Sequence, residues 1–363
     1  MKPLIIPIFV VYKGCPNRCL YCNERITAGN NSGRITELQF RNIVNGYLKT
    51  AKNNRDRIEI AFYGGNFTGM DMSYQIELLS LAESYIKAGF IQSIRISTRP
   101  DYIDGRGIEL LKKHGVKTVE IGAQSMVDDV LNRSRRGHSS DDVRNSVEHL
   151  KKSGFETGVH LMAGLPGDTM KGFIYTVEEI IKLKPDTVRI HPTIVLKNTA
   201  LEDLYLKGDY QPLSLEEAVS LCGFALSLLR GADISVIRLG LHITSEMGTN
   251  GSIVAGPLHA AFGALVEGSV FLGMASHLLK LPKIYGKDVT FSVSPKDVSR
   301  LRGLKNDNLQ RLKNIYQITK IDITEDPFQE RESIILKADG VRYRTDIKSC
   351  PVKREEIFLN SLH

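Results

Sequence analysis

From residue 5 to about 240, short apolar runs alternate with longer amphipathic ones, and that rhythm leaves few architectures open. The short runs, 5–12, 58–65, 91–98, 118–124, 156–164 and 186–195, read as strands. Between them the segments 37–52, 74–89, 107–115, 141–154 and 173–184 repeat apolar residues at three and four positions, the mark of helices with one buried face. Strands alternating with helices in this way build a parallel sheet from right-handed crossovers. Six such strands suit either a (βα)6 partial barrel or a doubly wound sheet. Both collect ligands at the carboxyl ends of the strands.

The residues that can carry chemistry fall at those ends. Cys15, Cys19 and Cys22 follow the first strand, GGNFT (64–68) ends the second and STRPD (97–101) the third. GAQS (122–125) ends the fourth, GLPGDT (164–169) the fifth, and HPTIV (191–195) belongs to the sixth. Their convergence on one edge weighs more than any single motif.

With 363 residues the chain has room for one large domain and a smaller one. Its 42% hydrophobic and 25% charged residues are those of a soluble globular protein. No apolar run approaches the roughly 18–20 residues a bilayer span needs, so no membrane association is expected. The apolar start, residues 1–14, lacks a cleavage site and runs into the cysteines, so it is expected as a buried strand rather than a signal peptide. Five cysteines, three of them crowded, make no disulfide framework, which points to a reducing cytoplasm. The net charge of +7 favours a polyanionic partner, and part of the excess is local: residues 296–320 hold seven Lys/Arg against two Asp. Beyond 240 the rhythm changes. The expected division is a core domain over 1–245, a connecting helical segment over 246–285 with its helix at 259–280, and a small α/β module over 286–363.

Cys15, Cys19 and Cys22 stand at C-x3-C-x2-C spacing. Structural zinc takes four protein ligands, and Cys222 and Cys350 are far away, Cys222 inside an apolar helical stretch. A redox dithiol needs two cysteines and leaves one over. A [4Fe–4S] cluster on three thiolates leaves one iron open to a chelating small molecule, with Tyr21 offering an aromatic face beside it.

This cysteine loop, with a glycine pair after the next strand, resembles the signature of the radical S-adenosylmethionine (SAM) enzymes. FYGGNFTG, STRPDYI, VEIGAQS, RRGHSSDDV and HLMAGLPGDT occur in an order that resembles the radical-SAM half of the Elongator catalytic subunit family. Similarity to oxygen-independent coproporphyrinogen oxidases is weaker. The resemblance covers residues 1–245 and implies a (βα)6 partial TIM-type barrel, an α/β fold, with a smaller α/β module behind it. The acetyltransferase domain of the Elongator subunit has no counterpart in these residues.

The resemblance implies that Cys15, Cys19 and Cys22 hold a [4Fe–4S] cluster whose open iron takes the amino and carboxylate groups of SAM. Gly64 and Gly65 would let the strand end approach the methionine amino group. Asn66 stands where related enzymes place Glu or Thr, with Thr68 nearby. Ser97 and Arg99 would meet ribose or carboxylate, Gln124 the ribose, and Arg136 the carboxylate in bidentate fashion. Gly164 and Pro166 would lay backbone against adenine. His160 and His191, in apolar strands, read as core residues, and no catalytic side chain is assigned. The implied chemistry is reductive cleavage of SAM to a 5′-deoxyadenosyl radical, with ferredoxin or flavodoxin as electron donor.

The tail 289–326 reads strand, short helix, tight loop, helix, strand, and resembles the core of a KH RNA-binding module. Gly303 matches the first glycine of its G-x-x-G loop, Asn306 replaces the second, and Arg302 and Lys305 flank them. A radical SAM enzyme acting on RNA, tRNA in particular, is therefore expected. The competing readings are a radical SAM enzyme for a small metabolite or tetrapyrrole, and a non-catalytic binder that keeps the cluster.

Overall fold

The computed structural model describes residues 3–11, 13–16, 18–24, 26, 34–51, 57–241, 251–281, 288–338 and 340–350. Of the connecting segment expected over 246–285, residues 246–250 and 282–285 lie outside them, as does the tail beyond 350. The chain forms two compact units, one of residues 1–212 and 241–256, the other of 213–240 and 257–363.

In the first unit, numbered along the chain, the strands are β1 (Leu4–Phe9), β2 (Ile58–Tyr63), β3 (Ser93–Thr98), β4 (Val116–Gln124), β5 (Glu156–Ala163), β6 (Thr187–Pro192), β7 (Val195–Leu196) and β9 (Ile253–Ala255). Its helices are α1 (Glu37–Thr50), α2 (Met72–Lys87), α3 (Gly105–Lys113), α4 (Asp128–Arg133), α5 (Ser140–Lys152), α6 (Met170–Leu183) and α7 (Ala200–Lys207). Strands β1 to β6 lie side by side in chain order, every pair parallel. A doubly wound sheet needs a point where strand order reverses. There is none from β1 to β6, so the sheet is the expected partial barrel.

Local chemistry starts the helices where the sequence suggests. Thr36 and Gln39 cap α1 reciprocally, and Ser139 and Asp142 do the same for α5. Thr169 accepts from the Gly172 N–H at the start of α6. Ile60, Phe62, Ile94, Ile96, Val119 and Ile121 are wholly buried on the strands, with Phe40, Leu78 and Leu79 packed over them from the helices. Each such side chain contributes about 1.5–3 kcal/mol by leaving water. The run 186–195 is not one strand. β6 stops at Pro192, the Thr193 hydroxyl donates to the Ala163 carbonyl, and β7 pairs antiparallel with β9.

The second unit contains α8 (Leu215–Gly231), β8 (Ser235–Leu239), α9 (Phe262–Leu279), β10 (Asp288–Val293), α10 (Val298–Arg302), α11 (Asp307–Tyr316), β11 (Lys320–Glu325), β12 (Ser333–Ala338) and β13 (Val341–Asp346). Four strands form a sheet in the order β11-β10-β12-β13, with β10 and β11 parallel and the other pairs antiparallel. The order strand, helix, loop, helix, strand expected for the tail is present as β10-α10-α11-β11. The compact division differs from one at 245 and 285, because α8 packs on α9 and residues 241–256 belong with the barrel.

Helix α9 corrects one expectation. It is 18 residues long and apolar enough, by length and composition, to cross a bilayer. Nine of its residues, among them Phe271, Met274 and Leu278, are buried. Its Gly268 and Ser276 carbonyls accept hydrogen bonds from Asn308 and Tyr316 of α11. That pattern is a core helix of a compact unit.

Candidate active site

The loop after β1 is held by hydrogen bonds within itself and to distant parts of the chain. The Cys22 N–H donates to the Cys19 carbonyl at 3.1 Å, Leu20 N to the Ser134 carbonyl at 3.2 Å, and Leu201 N to the Leu20 carbonyl at 2.9 Å. Gly14 fits against the next strand end: a Cβ there would come within 2.1 Å of the Asn66 carbonyl oxygen, and its φ is +75°. Gly65 is equally constrained, with φ +57° and the Lys13 carbonyl oxygen 2.4 Å from where a Cβ would stand. Its N–H donates to Glu24 Oε1 at 2.6 Å, tying the loop to β2.

Cys15, Cys19 and Cys22 are free thiols, and all three line one cavity of about 520 Å³. The cavity also brings together Tyr21, Gly64, Gly65, Ser97, Arg99, Gln124 and Arg136. These residues, read separately at the strand ends, thus line one cavity. Asn66, Thr68, Gly164 and Pro166 are not part of its lining. Asn66 is fully buried and works as a tie: it donates to the Gly14 carbonyl and accepts from Thr98 Oγ1 and the Arg99 N–H. Thr68 bonds to Thr98 through its hydroxyl. The Gly164 carbonyl accepts from the Tyr210 hydroxyl at 2.6 Å, and Pro166 is buried.

The two arginines differ in what engages them. Arg99, 3% exposed, is gripped bidentately by Asp101 at 2.9 and 2.7 Å. Arg136 donates through Nη1 to Cys19 Sγ at 3.2 Å and through Nη2 to the Gly122 carbonyl at 2.6 Å. Gln124 sits at φ +69°, 6% exposed, and its Oε1 has no hydrogen-bond partner among the described residues.

Burial, reinforced by Glu24 and the neighbouring Cys19 thiol, pushes Cys15 up to about 11 and raises Cys22 as well. Three thiolates on this loop need a strongly positive group between them, and an iron–sulfur cluster has that charge. Among the described residues no three His, Cys, Asp or Glu side chains are grouped to hold a single metal ion. The donor set, three thiols and no fourth ligand around a roomy cavity, fits a cluster with one open iron better than closed structural zinc.

The deeper wall is one the sequence reading did not assign. Tyr63, Glu120, His160, Met162, Arg189 and His191 line it. Arg95 joins Glu59 at 3.0 Å to Glu120 at 2.7 Å, and Arg189 joins Glu120 at 2.8 Å to the Tyr63 hydroxyl at 2.6 Å. Burial disfavours the Arg95 charge most, but Glu120 and Glu59 outweigh it and hold the group above its ordinary value. Burial and then Glu120 push Tyr63 up to about 12, so it keeps its proton. His160 and His191, read above as core residues, meet edge to face at 4.3 Å on the same wall. A signal for this wall exists in the sequence: Ile58-Glu59-Ile60, Ile94-Arg95-Ile96, Val119-Glu120-Ile121 and Val188-Arg189-Ile190 each place one charge inside an apolar strand.

Comparison with known proteins agrees with this arrangement. The radical SAM superfamily model matches residues 9–180, and the model of the radical SAM C-terminal domain follows over 185–270. The chain belongs to the radical SAM superfamily of enzymes, whose cofactors are a [4Fe–4S] cluster and SAM. Within it, the chain is similar to the tRNA uridine(34) acetyltransferase of Methanocaldococcus jannaschii, 30% identical over 194 residues, 48% of this chain and 36% of that protein. It is 28% identical to human Elongator complex protein 3 over 202 residues, 50% of this chain and 37% of the relative. The chain thus spans little more than a third of the length of these relatives. The archaeal Methanocaldococcus infernus Elp3 lacking its N-terminal residues shares the fold, with a TM-score of 0.59 and 24% identity over 73% of this chain and 61% of that one.

Proposed function

We propose that the protein reductively cleaves SAM and uses the resulting radical to modify RNA, with tRNA as the substrate. The observation that carries this reading is the set of three free thiols on one pinned loop, opening onto a cavity at the carboxyl ends of the barrel strands. Cys15, Cys19 and Cys22 would hold the cluster, and Gly64, Gly65, Ser97, Gln124 and Arg136 are placed around the volume SAM would fill. When bound, the cluster supplies one electron to the sulfonium, breaking its C–S bond to give methionine and a 5′-deoxyadenosyl radical that takes a hydrogen atom from the substrate. A ferredoxin- or flavodoxin-type protein is the proposed source of that electron.

The chain's own residues do the rest. Glu24 and Asn66 fix the loop against β2 and β3, and Arg136 reaches Cys19. RNA is favoured as substrate by two independent features. The relatives named above modify tRNA according to their names, or belong to Elongator. The α10–α11 loop carries exposed Arg302 and Lys305 around Gly303, whose φ of +71° shapes the turn, in the element order of a KH core.

The test is anaerobic. Protein reconstituted with iron and sulfide is given SAM, dithionite and bulk tRNA, and 5′-deoxyadenosine is measured. Formation that depends on Cys19, being lost in Cys19→Ala and kept in Cys222→Ala, is the expected result, with tRNA raising the rate. No 5′-deoxyadenosine under any condition would remove the catalytic reading. A rate indifferent to tRNA would remove RNA as the substrate.

A further inference from the structure

A guanidinium stripped of water needs an anion beside it, or its charge is costly to hold. Arg99 meets that need with the Asp101 carboxylate at 2.9 and 2.7 Å. Arg136 is 7% exposed and forms no ion pair with a carboxylate among the described residues. Its partners are the Cys19 sulfur, 3.2 Å from Nη1, and the Gly122 carbonyl oxygen, 2.6 Å from Nη2.

The chain around Arg136 is shaped for that contact. After α4 the Arg136 N–H donates to the Leu131 carbonyl at 3.0 Å. The Leu20 N–H donates to the Ser134 carbonyl at 3.2 Å, which lays this segment along the cysteine loop. Arg135 turns at φ +54°, a left-handed backbone uncommon outside glycine, and Gly137 follows at +69°. On β4, Gly122 leaves the room: a Cβ there would stand 3.3 Å from Arg136 Nη2. The turn and the missing side chain serve one placement of the guanidinium, against Cys19.

A cation that donates N–H to a thiolate sulfur acts on the charge of the metal centre which that thiolate holds. One-electron reduction adds a negative charge to such a centre. The guanidinium therefore favours the reduced form and raises the reduction potential. We infer that Arg136 sets the potential at which the cluster on Cys15, Cys19 and Cys22 accepts its electron, whether or not SAM is bound. The electron comes from dithionite or from the ferredoxin- or flavodoxin-type donor; Arg136 itself is neither oxidised nor reduced. The inference rests on Cys19 being a cluster ligand, as the proposed function has it. It goes beyond the carboxylate role expected of Arg136, because both terminal nitrogens already bond to the chain.

The test reads the cluster before any radical chemistry. Protein reconstituted anaerobically with iron and sulfide is titrated reductively without SAM or RNA. The reduced cluster is followed by electron paramagnetic resonance, and iron per chain is counted in parallel. Arg136→Met removes both charge and donor, and should shift the one-electron equilibrium about tenfold toward the oxidised form, a potential lower by about 59 mV. Arg136→Lys keeps the charge and should fall between that variant and wild type. A merely structural Arg136 would lower the iron content yet leave the potential of the clusters that form unchanged, and that outcome overturns the inference. So does a shift that appears only once SAM is added, the mark of a residue that binds SAM alone. If Arg136→Met takes up no cluster, Arg136→Lys decides: a potential below wild type supports the inference and an equal one overturns it. Wild type that assembles no [4Fe–4S] cluster counts against the proposed function itself, whereas a cluster indifferent to Arg136 counts against this inference alone.

Discussion

At Gly65 backbone geometry and packing demand the same residue. Its φ of +57° disfavours any side chain, and a Cβ would run into the Lys13 and Val10 carbonyl oxygens. Gly65→Ala should therefore cost about 1–3 kcal/mol of stability. It should also lower cluster content, because the Glu24 contact on the cysteine loop moves with it; denaturant melts and iron per chain measure the two. Asp168, in the loop before α6, has a different weakness. Burial pushes its carboxyl up to about 7, against an ordinary 3.8, while the Thr169 N–H pulls only partly back. The folded state thus binds this proton more tightly than the unfolded chain. The resulting stability is complete below about pH 3.8 and is lost as pH rises through 7. Asp168→Asn keeps the acceptor for Thr169 and removes the ionisable group. Its melting temperature should match wild type at pH 4 and exceed it at pH 8; an equal difference at the two pH values would contradict this.

Among the elements, strand ends were legible because chemistry and turn residues coincide there: Cys15 to Cys22, Gly64-Gly65 and Gln124 all reach the cavity. Asn66 and Thr68 sit in the same motif, yet their side chains are consumed in tying β2 to β3. Sequence spacing cannot distinguish a side chain aimed at a ligand from one aimed at a neighbouring strand. The ions inside β2, β3, β4 and β6 were hidden by the opposite assumption, that a strand-interior position belongs to an apolar core. The break after Pro192 was hidden because Thr193, Ile194 and Val195 prolong the β pattern, although β6 ends at Pro192 and Val195 pairs with β9 instead. Helix α9 escaped notice as an apolar span because Glu267 interrupts it, and that carboxylate is taken up by Arg230 and Arg300.

Over the whole molecule the two proposed tasks fall on different units, the cavity on the barrel and the basic loop on the second unit. Their signatures should separate in solution. Reversing charge at Arg302 and Lys305 should weaken tRNA binding at low salt and reduce the slope of log affinity against log salt by about 1.4–1.8, the release of two counter-ions. An unchanged slope would take that loop out of RNA binding. The ladder of ion pairs from Glu59 to Arg189 has an evolutionary consequence as well. An apolar core drifts one methyl group at a time, each step tolerated by small shifts of its neighbours. Glu59, Arg95, Glu120 and Arg189 allow no such drift, since losing one rung strands the charge on the next. Descendants of this barrel should keep all four or exchange them in compensating pairs, so change at these positions would come in jumps.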